Sequence, residues 1–300
     1  MSESRHILDF GTNPRIGYPD RVLRPWVEAL QMDADVYELD LSRMAYLRPF
    51  AANVILAAAY ELQDNGASVV CRYPVRPNAL HQFHYLRLDG FFEKKIELKR
   101  ETVSALPIFP FRDTEMRKKY LPNIPEQILS LIAGAMPLEN DLRKLVYLSL
   151  KECTDNVDVH TKGNDLAVVS ANVIRTRKRI RICILDRGLG IPASLRRNPK
   201  YRGIKSELEL LKLSTDYQVT GTEDLRGWGL WLLKQLVRDN GGTLSLLSGN
   251  YVVQYHPDES VSTKRLKTHF KGTIVNIELK INKKFVFLMD DYMDEAEAIF

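Results

Sequence analysis

With 300 residues, 45% of them hydrophobic and 27% charged, the chain has ordinary globular composition, too long for one small domain and comfortable for two. The 43 basic residues against 38 acidic ones leave a net charge of +5, which argues against a dedicated nucleic-acid binder while leaving room for a local basic patch. Cys71, Cys153 and Cys183 are odd in number, far apart and without C-x-x-C spacing, so neither a disulfide framework nor a zinc site is expected, and a reducing, cytoplasmic setting fits them.

The first residues are polar, and the most apolar later stretch, residues 44–62, is interrupted by Arg48, Pro49 and Asn53. Neither a signal peptide nor a membrane span is expected. Residues 36–41 alternate apolar and polar as a half-buried strand, and Pro49 then sits near the first turn of a helix with Phe50, Val54, Ala58 and Leu62 on one face. Asp64-Asn-Gly66 ends that helix. Residues 68–71 read as a compact strand, Pro74 and Pro77 as a turn, and residues 79–88 as a second short helix. Strand, helix, strand, helix is the spacing of parallel pairing. His81 and His84 share a helix face, but without a third ligand nearby they read as ordinary helix residues.

The run LDLSRMAYLRPFAANVILAAAYELQDNGASVVCRYP followed by YLRLDGFF resembles the STAS domain of anti-sigma-factor antagonists over about ninety residues. That family carries a phosphorylatable serine just after the first of these strands. Here the place reads Leu47-Arg-Pro-Phe50, with no Ser or Thr, so the resemblance does not extend to phosphate control.

Residues 93–100 suggest a charged strand or edge, and residues 104–112, Ser-Ala-Leu-Pro-Ile-Phe-Pro-Phe-Arg, a proline-punctuated connector. The domain boundary is expected near Pro110, and a helix over residues 124–134. The richest segment follows: over residues 140–163, Leu142, Leu145, Val146, Ser149 and Cys153 recur at helical spacing, with Asn140 able to cap the start and Gly163 the end. Glu152, Asn156 and His160 fall four apart, so they line one face of that helix and can meet a single ligand.

Residues 166–174 and 180–185 read as two strands joined by the basic turn Arg175-Thr-Arg-Lys-Arg179. With no aromatic residues interleaved, a solvated hairpin tip explains those charges better than a nucleic-acid surface. Asp186 follows the second strand, and Gly188 and Gly190 let backbone approach a flat ligand closely. A buried carboxylate there can accept a hydrogen bond from an exocyclic amine. Residues 191–225 are long and charged, as in a mobile lid or a pair of surface helices, one of them over residues 206–213. Gly227 and Gly229 open a helix with Leu230, Leu233, Leu236 and Val237 inside, and glycines at a helix start expose free N–H groups to an anion. No Walker loop occurs. Residues 243–248 and 272–281 complete an antiparallel or mixed sheet.

Glu152-x-x-x-Asn156-x-x-x-His160, Asp186-x-Gly188-x-Gly190, Gly227-x-Gly229-Leu230, Gly241-Gly242 and Gly272-Thr273, in that order, resemble the GHKL ATPase superfamily of gyrase, histidine kinases, mismatch-repair ATPases and anti-sigma-factor kinases, over roughly residues 125 to 282. The fold class expected is therefore α/β with two domains: a STAS-like α/β domain over 1–110 and a GHKL-type α/β sandwich over 111–283, with an acidic tail over 284–300. The resemblance implies ATP and Mg2+ as cofactors. Asn156 would bind the metal, Asp186 the adenine, Gly188, Gly190, Gly227 and Gly229 the nucleotide through backbone, and Thr273 the floor beside the base. Glu152 would orient or deprotonate the attacking nucleophile, as the first residue of that box does in hydrolysing members. Lys162 and Arg226 are candidates to neutralise phosphate, balanced by readings as a capping lysine and a surface arginine, and His160 is a candidate to line the site.

Leu225 stands where a glycine is usual before the last pair, and Trp228 where a smaller residue is common, which alters the expected lid. No phosphoacceptor hairpin precedes the domain, and no transducer domain fits after it. The expected function is a Mg-ATP-dependent, prokaryotic-type regulatory switch coupled to the STAS-like half, which would carry a protein partner. The alternatives are a serine/threonine kinase acting on a STAS partner and a non-hydrolysing ATP-binding module; a homodimer stays open, and a DNA-processing role through the basic hairpin ranks last. A membrane partner is not expected.

Overall fold

The structure, a computed structural model, describes residues 4–92, 105–161, 165–221 and 229–282, without the side chains of 158–160. The chain starts with β1 (Arg5–Asp9), α1 (Asp20–Ala29), β2 (Val36–Asp40), α2 (Pro49–Asp64) and β3 (Ser68–Arg72). The three strands pair in parallel in the order β1-β2-β3, as alternating strands and helices require. Both α1 and β1 went unrecognised in the sequence. The strand, Arg-His-Ile-Leu-Asp, does not alternate and only its Leu8 is fully buried, and the helix carries Pro25 in its interior, so neither shows a clean period.

The helix α2 organises the interior. Arg48 takes an extended conformation, Pro49 occupies the first helical position, where its missing N–H is not needed, and Gly66 at φ +89° closes the far end. Every residue from Pro49 to Ala59 is buried, the mark of a helix covered on all sides. Five alanines, Ala51, Ala52, Ala57, Ala58 and Ala59, keep it thin enough to lie between two sheets.

After α3 (Pro77–Tyr85) and α4 (Leu88–Phe91), the expected single helix being broken at Arg87 with φ +60°, the chain forms β4 (Ala105–Phe111). The expected proline-punctuated connector is thus a strand, and the boundary placed at 110/111 falls inside it. Pro107 and Pro110 deprive a strand of N–H donors, which is tolerated because β4 is an edge. The rest comprises α5 (Thr114–Tyr120), α6 (Ile124–Ala133), α7 (Asn140–His160), β5 (Ala167–Ile174), β6 (Arg179–Asp186), α8 (Ile191–Leu195), α9 (Glu207–Leu213), α10 (Gly229–Asp239), β7 (Thr243–Tyr255) and β8 (Val261–Lys280). The second sheet is antiparallel, in the order β4-β5-β6-β8-β7.

The architecture is mixed α/β in four layers: the parallel sheet, α1 with α2, the antiparallel sheet, then α6, α7 and α10. Strand alternation feeds both faces of the larger sheet. Val168, Cys183, Leu185 and Ile274 face α2, and Val169, Ile182, Ile184 and Ile277 face α7 and α10. Residues 191–221, expected as a lid or surface helices, form α8 and α9 around a small core of Leu195, Tyr201 and Leu210. Ser206 caps α9 by accepting from the Glu209 N–H at 3.2 Å.

Among the described residues no helix is long and apolar enough to cross a membrane.

Candidate functional site

The most constrained polar group lies at the end of β6. Asp186 is 6% exposed, its Oδ1 accepts from the Gly188 N–H at 2.9 Å, and Thr273 stands opposite it on β8, with hydroxyl and N–H both directed to the carboxyl. Burial pushes the carboxyl up to about 7, against the pull of those donors and of the Arg187 charge. A carboxylate in this setting gains strongly from any further donor.

Two glycines make the corner possible. Gly190 has φ +79° and Gly272 φ +117°, and a Cβ on Gly190 would lie 2.6 Å from Ser248 Oγ and 2.9 Å from the Gly272 carbonyl. A Cβ on Gly272 would overlap the backbone of Asp186. Only glycine serves at such positions. Ser248, fully buried, ties the pieces together: its Oγ donates to the Gly272 carbonyl at 2.7 Å and accepts from the Ile191 N–H at 3.0 Å. Sequence reasoning missed Ser248, whose only signal is a hydroxyl within an apolar strand.

On α7 the apolar positions Leu142, Leu145, Val146, Leu150, Cys153 and Val157 are buried, leaving Glu152 and Asn156 half-buried one turn apart. Gly229, the first residue of α10, packs directly on Glu152: a Cβ there would overlap the Glu152 side chain and sit 3.4 Å from Oε2. Leu230 is half-buried against the core of that layer. The start of α10 therefore meets the carboxylate face of α7. Behind them, Cys153 is pushed up to about 12 by burial, which makes it an inert core thiol.

Sequence order brings α7 back to the Asp186 corner. The chain leaves α7 after His160 and enters β5 at Ala167, the register partner of Asp186, while the Leu166 carbonyl accepts from the Arg187 N–H at 2.9 Å. The C-terminal end of α7 and the carboxyl end of β6 thus lie at one end of the sheet. The structure joins Glu152 to Gly229, and Asp186 to Gly188, Gly190 and Thr273. Lys162, Arg226, Gly227 and the side chain of His160 lie outside the described residues, as do Leu225 and Trp228.

Arg187 is the second residue that sequence reasoning passed over. Its Nε donates to Glu61 Oε1 on α2 at 2.6 Å and its Nη1 to the Lys271 carbonyl at 2.6 Å. Its guanidinium lies 4.7 Å from the Trp26 ring and 5.2 Å from that of Phe270, and the Trp26 indole donates to Glu61 Oε2 at 3.1 Å. One residue of the glycine corner faces the site and its neighbour grips α1 and α2.

Among the described residues no cluster of three His, Cys, Asp or Glu side chains forms a metal site. The His84 Nδ1 is 2.7 Å from Asp89 Oδ2, and His81 lies beside Tyr85.

No protein family matches this chain, and no curated protein matches it either. Among solved structures it is similar to the crystal structure of the N-terminal domain of a DNA repair protein, at 16% identity and a TM-score of 0.17, over 39% of this chain and 30% of that one. A likeness that low carries no argument about fold or role.

Proposed function

We propose that this chain is a Mg-ATP-binding protein of the GHKL type, in which the nucleotide governs a STAS-like N-terminal half. The observation that carries the reading is Asp186: a buried carboxyl at a strand end, flanked by Thr273 and by glycines that let the backbone close around it, at the same end of the sheet as the polar face of α7. An adenine amine is the kind of donor such a carboxyl accepts from. The residues present fit the groups proposed. Gly229 lets the start of α10 pack against α7, a helix start whose backbone N–H groups suit an anion, and Asn156 offers an amide oxygen to a hard cation. Magnesium, when bound, would neutralise phosphate charge. In this reading Glu152 orients the attacking group, and Thr273 with the Gly188 N–H holds the Asp186 carboxyl toward the base.

The Arg187 clamp supports the link between halves. A change at Asp186 is felt one residue away by a guanidinium seated on Glu61 and Trp26, and so by α1 and α2.

The test is calorimetric binding of Mg-ATP and release of phosphate by the wild type, Asn156→Ala and Glu152→Ala. Loss of binding in the first variant, with binding kept and phosphate release lost in the second, is the expected outcome. Transfer of label to a serine on a STAS partner would instead identify a kinase, binding without turnover a non-hydrolysing module, and indifference to Mg-ATP would remove the proposal. Because the amine favours the ionised carboxylate, binding near pH 6 should also release a proton, visible as a heat that changes with the buffer.

A further inference from the structure

On the other face of the antiparallel sheet, and toward the opposite end of β6, the structure gathers arginines that outnumber the one carboxylate beside them among the described residues. Arg48 occupies the position just before α2 and supplies no side-chain hydrogen bond to its first turn, so the amides that open the helix lack a side-chain cap. Its Nε is buried and without a hydrogen-bond partner. Burial, then the charge of Arg181, and then those of Arg15 and Arg177 pull the guanidinium down to about 10, with only Glu278 opposing. Four arginines from three separate places in the chain thus feel one another's charge: one from the loop before α1, one from the start of α2, and two from the hairpin of β5 and β6.

The one carboxylate nearby is already engaged. Glu278 accepts from Arg181 at 2.6 Å through Oε2 and from Arg179 at 3.1 Å through Oε1. Among the described residues Arg15, Arg48 and Arg177 have no carboxylate partner. The Arg177 guanidinium rests 4.9 Å from the Tyr46 ring, which turns the basic hairpin toward the residues just before Arg48. The register of the sheet sets the direction of Arg181. Asn172 is the register partner of Arg181, so the two lie on one face of the sheet. Ser170, two residues earlier on the same face of β5, hydrogen-bonds Asn53 of α2 at 2.5 Å, so Asn172 belongs to the face that looks at α2.

Crowding like charges under a helix N-terminus is unfavourable unless an anion joins them. Guanidinium forks match phosphate oxygens, two donors at a time. We propose that Arg48, Arg177 and Arg181, with Arg15 at the rim, form a binding site for the phosphate group of a small anion, separate from the nucleotide site. Arg181 lies five residues before Asp186 on β6, about 17 Å along an extended strand, and on the face turned to α2. The site does not depend on the ATP reading.

The experiment is isothermal titration of the full chain with sodium pyrophosphate, without magnesium and at physiological ionic strength, followed by thermal unfolding with and without the anion. Saturable binding by the wild type is expected. It should weaken at least about tenfold in Arg48→Met and in Arg177→Met, and persist in Arg24→Met, whose arginine is exposed and paired with Glu28. Arg177 is exposed at the hairpin tip, so its variant is the one whose folding is not at risk. Relief of repulsion should leave Arg177→Met at least as thermostable as the wild type without anion, and no longer stabilised by pyrophosphate. Absence of saturable binding, full binding by Arg177→Met, or equal weakening by Arg24→Met would each overturn the site, the last by reducing it to diffuse charge.

Discussion

The two faces of the antiparallel sheet carry helices of opposite character. On one, α2 is apolar all round and seals the space between two sheets, and its single buried polar residue is fully engaged: Asn53 donates to the carbonyls of Val168 and Cys183, each at 2.9 Å, and accepts from Ser170. On the other, α7 buries one side and leaves Glu152 and Asn156 half-exposed against the first residue of α10. The difference teaches where each half of the chain spends its polar groups. The α2 face uses them to fix alignment, and the α7 face keeps them partly exposed.

The sharpest way to break that comparison is to unseat α2. Asn53→Ala would leave two backbone carbonyls and a serine hydroxyl buried without their partner, a loss of about 4 kcal/mol. Urea unfolding measures it, and a loss under about 1 kcal/mol would mean that the node does not align the layers.

Next comes Asp186. Its carboxyl is raised from 3.8 to about 7 by burial, so the native state holds a proton that the unfolded chain has released. Stability should therefore fall as pH rises from about 4 to about 7 and level off above, by on the order of 4 kcal/mol. Asp186→Asn should abolish that slope and be the more stable form above pH 7. Denaturant midpoints across the range decide it, and an unchanged slope in the variant would place the titration elsewhere.

A smaller effect is expected from Arg187→Met, which leaves Glu61 with the Trp26 indole alone. A destabilisation of about 2 kcal/mol is expected, together with weaker Mg-ATP binding if the clamp links the layers. Stability lost with affinity unchanged would confine Arg187 to packing. The smallest is Ser206→Ala, which removes the cap of α9 and should cost about 1 kcal/mol without touching either face of the sheet.

Much of the local structure was legible. The period of α7, the compact β5 and β6, and the proline-started α2 each declare themselves within a window of a few residues, because a helix or a fully buried strand imposes its spacing on its own apolar residues. Elements whose identity depends on position were not. β4 reads as a connector because its prolines argue against a strand, and they do so only for strands paired on both sides. β7 and β8 extend well past the short runs expected of them, since the outer part of that hairpin alternates weakly, with Val261 exposed and Leu266 buried.

The candidate site divides in the same way. Asp186 with its glycines and the Glu152, Asn156 line were visible as spacing. Ser248, Arg187 and the Arg48 cluster were not, because the groups they meet are far away in the chain: Gly272 for the first, Glu61 and Trp26 for the second, Arg181 and Arg177 for the third.

By itself, the amino-acid order determined which segments become helices and strands wherever burial is periodic, and which of them carry acids, amides and glycines. The tertiary structure alone decided that one alanine-rich helix serves two sheets, that Asp186 is buried beside Thr273, and that arginines from three segments meet. Those outcomes depend on desolvation and long-range pairing, and the free energy of a charged or polar group is set by what folding places around it.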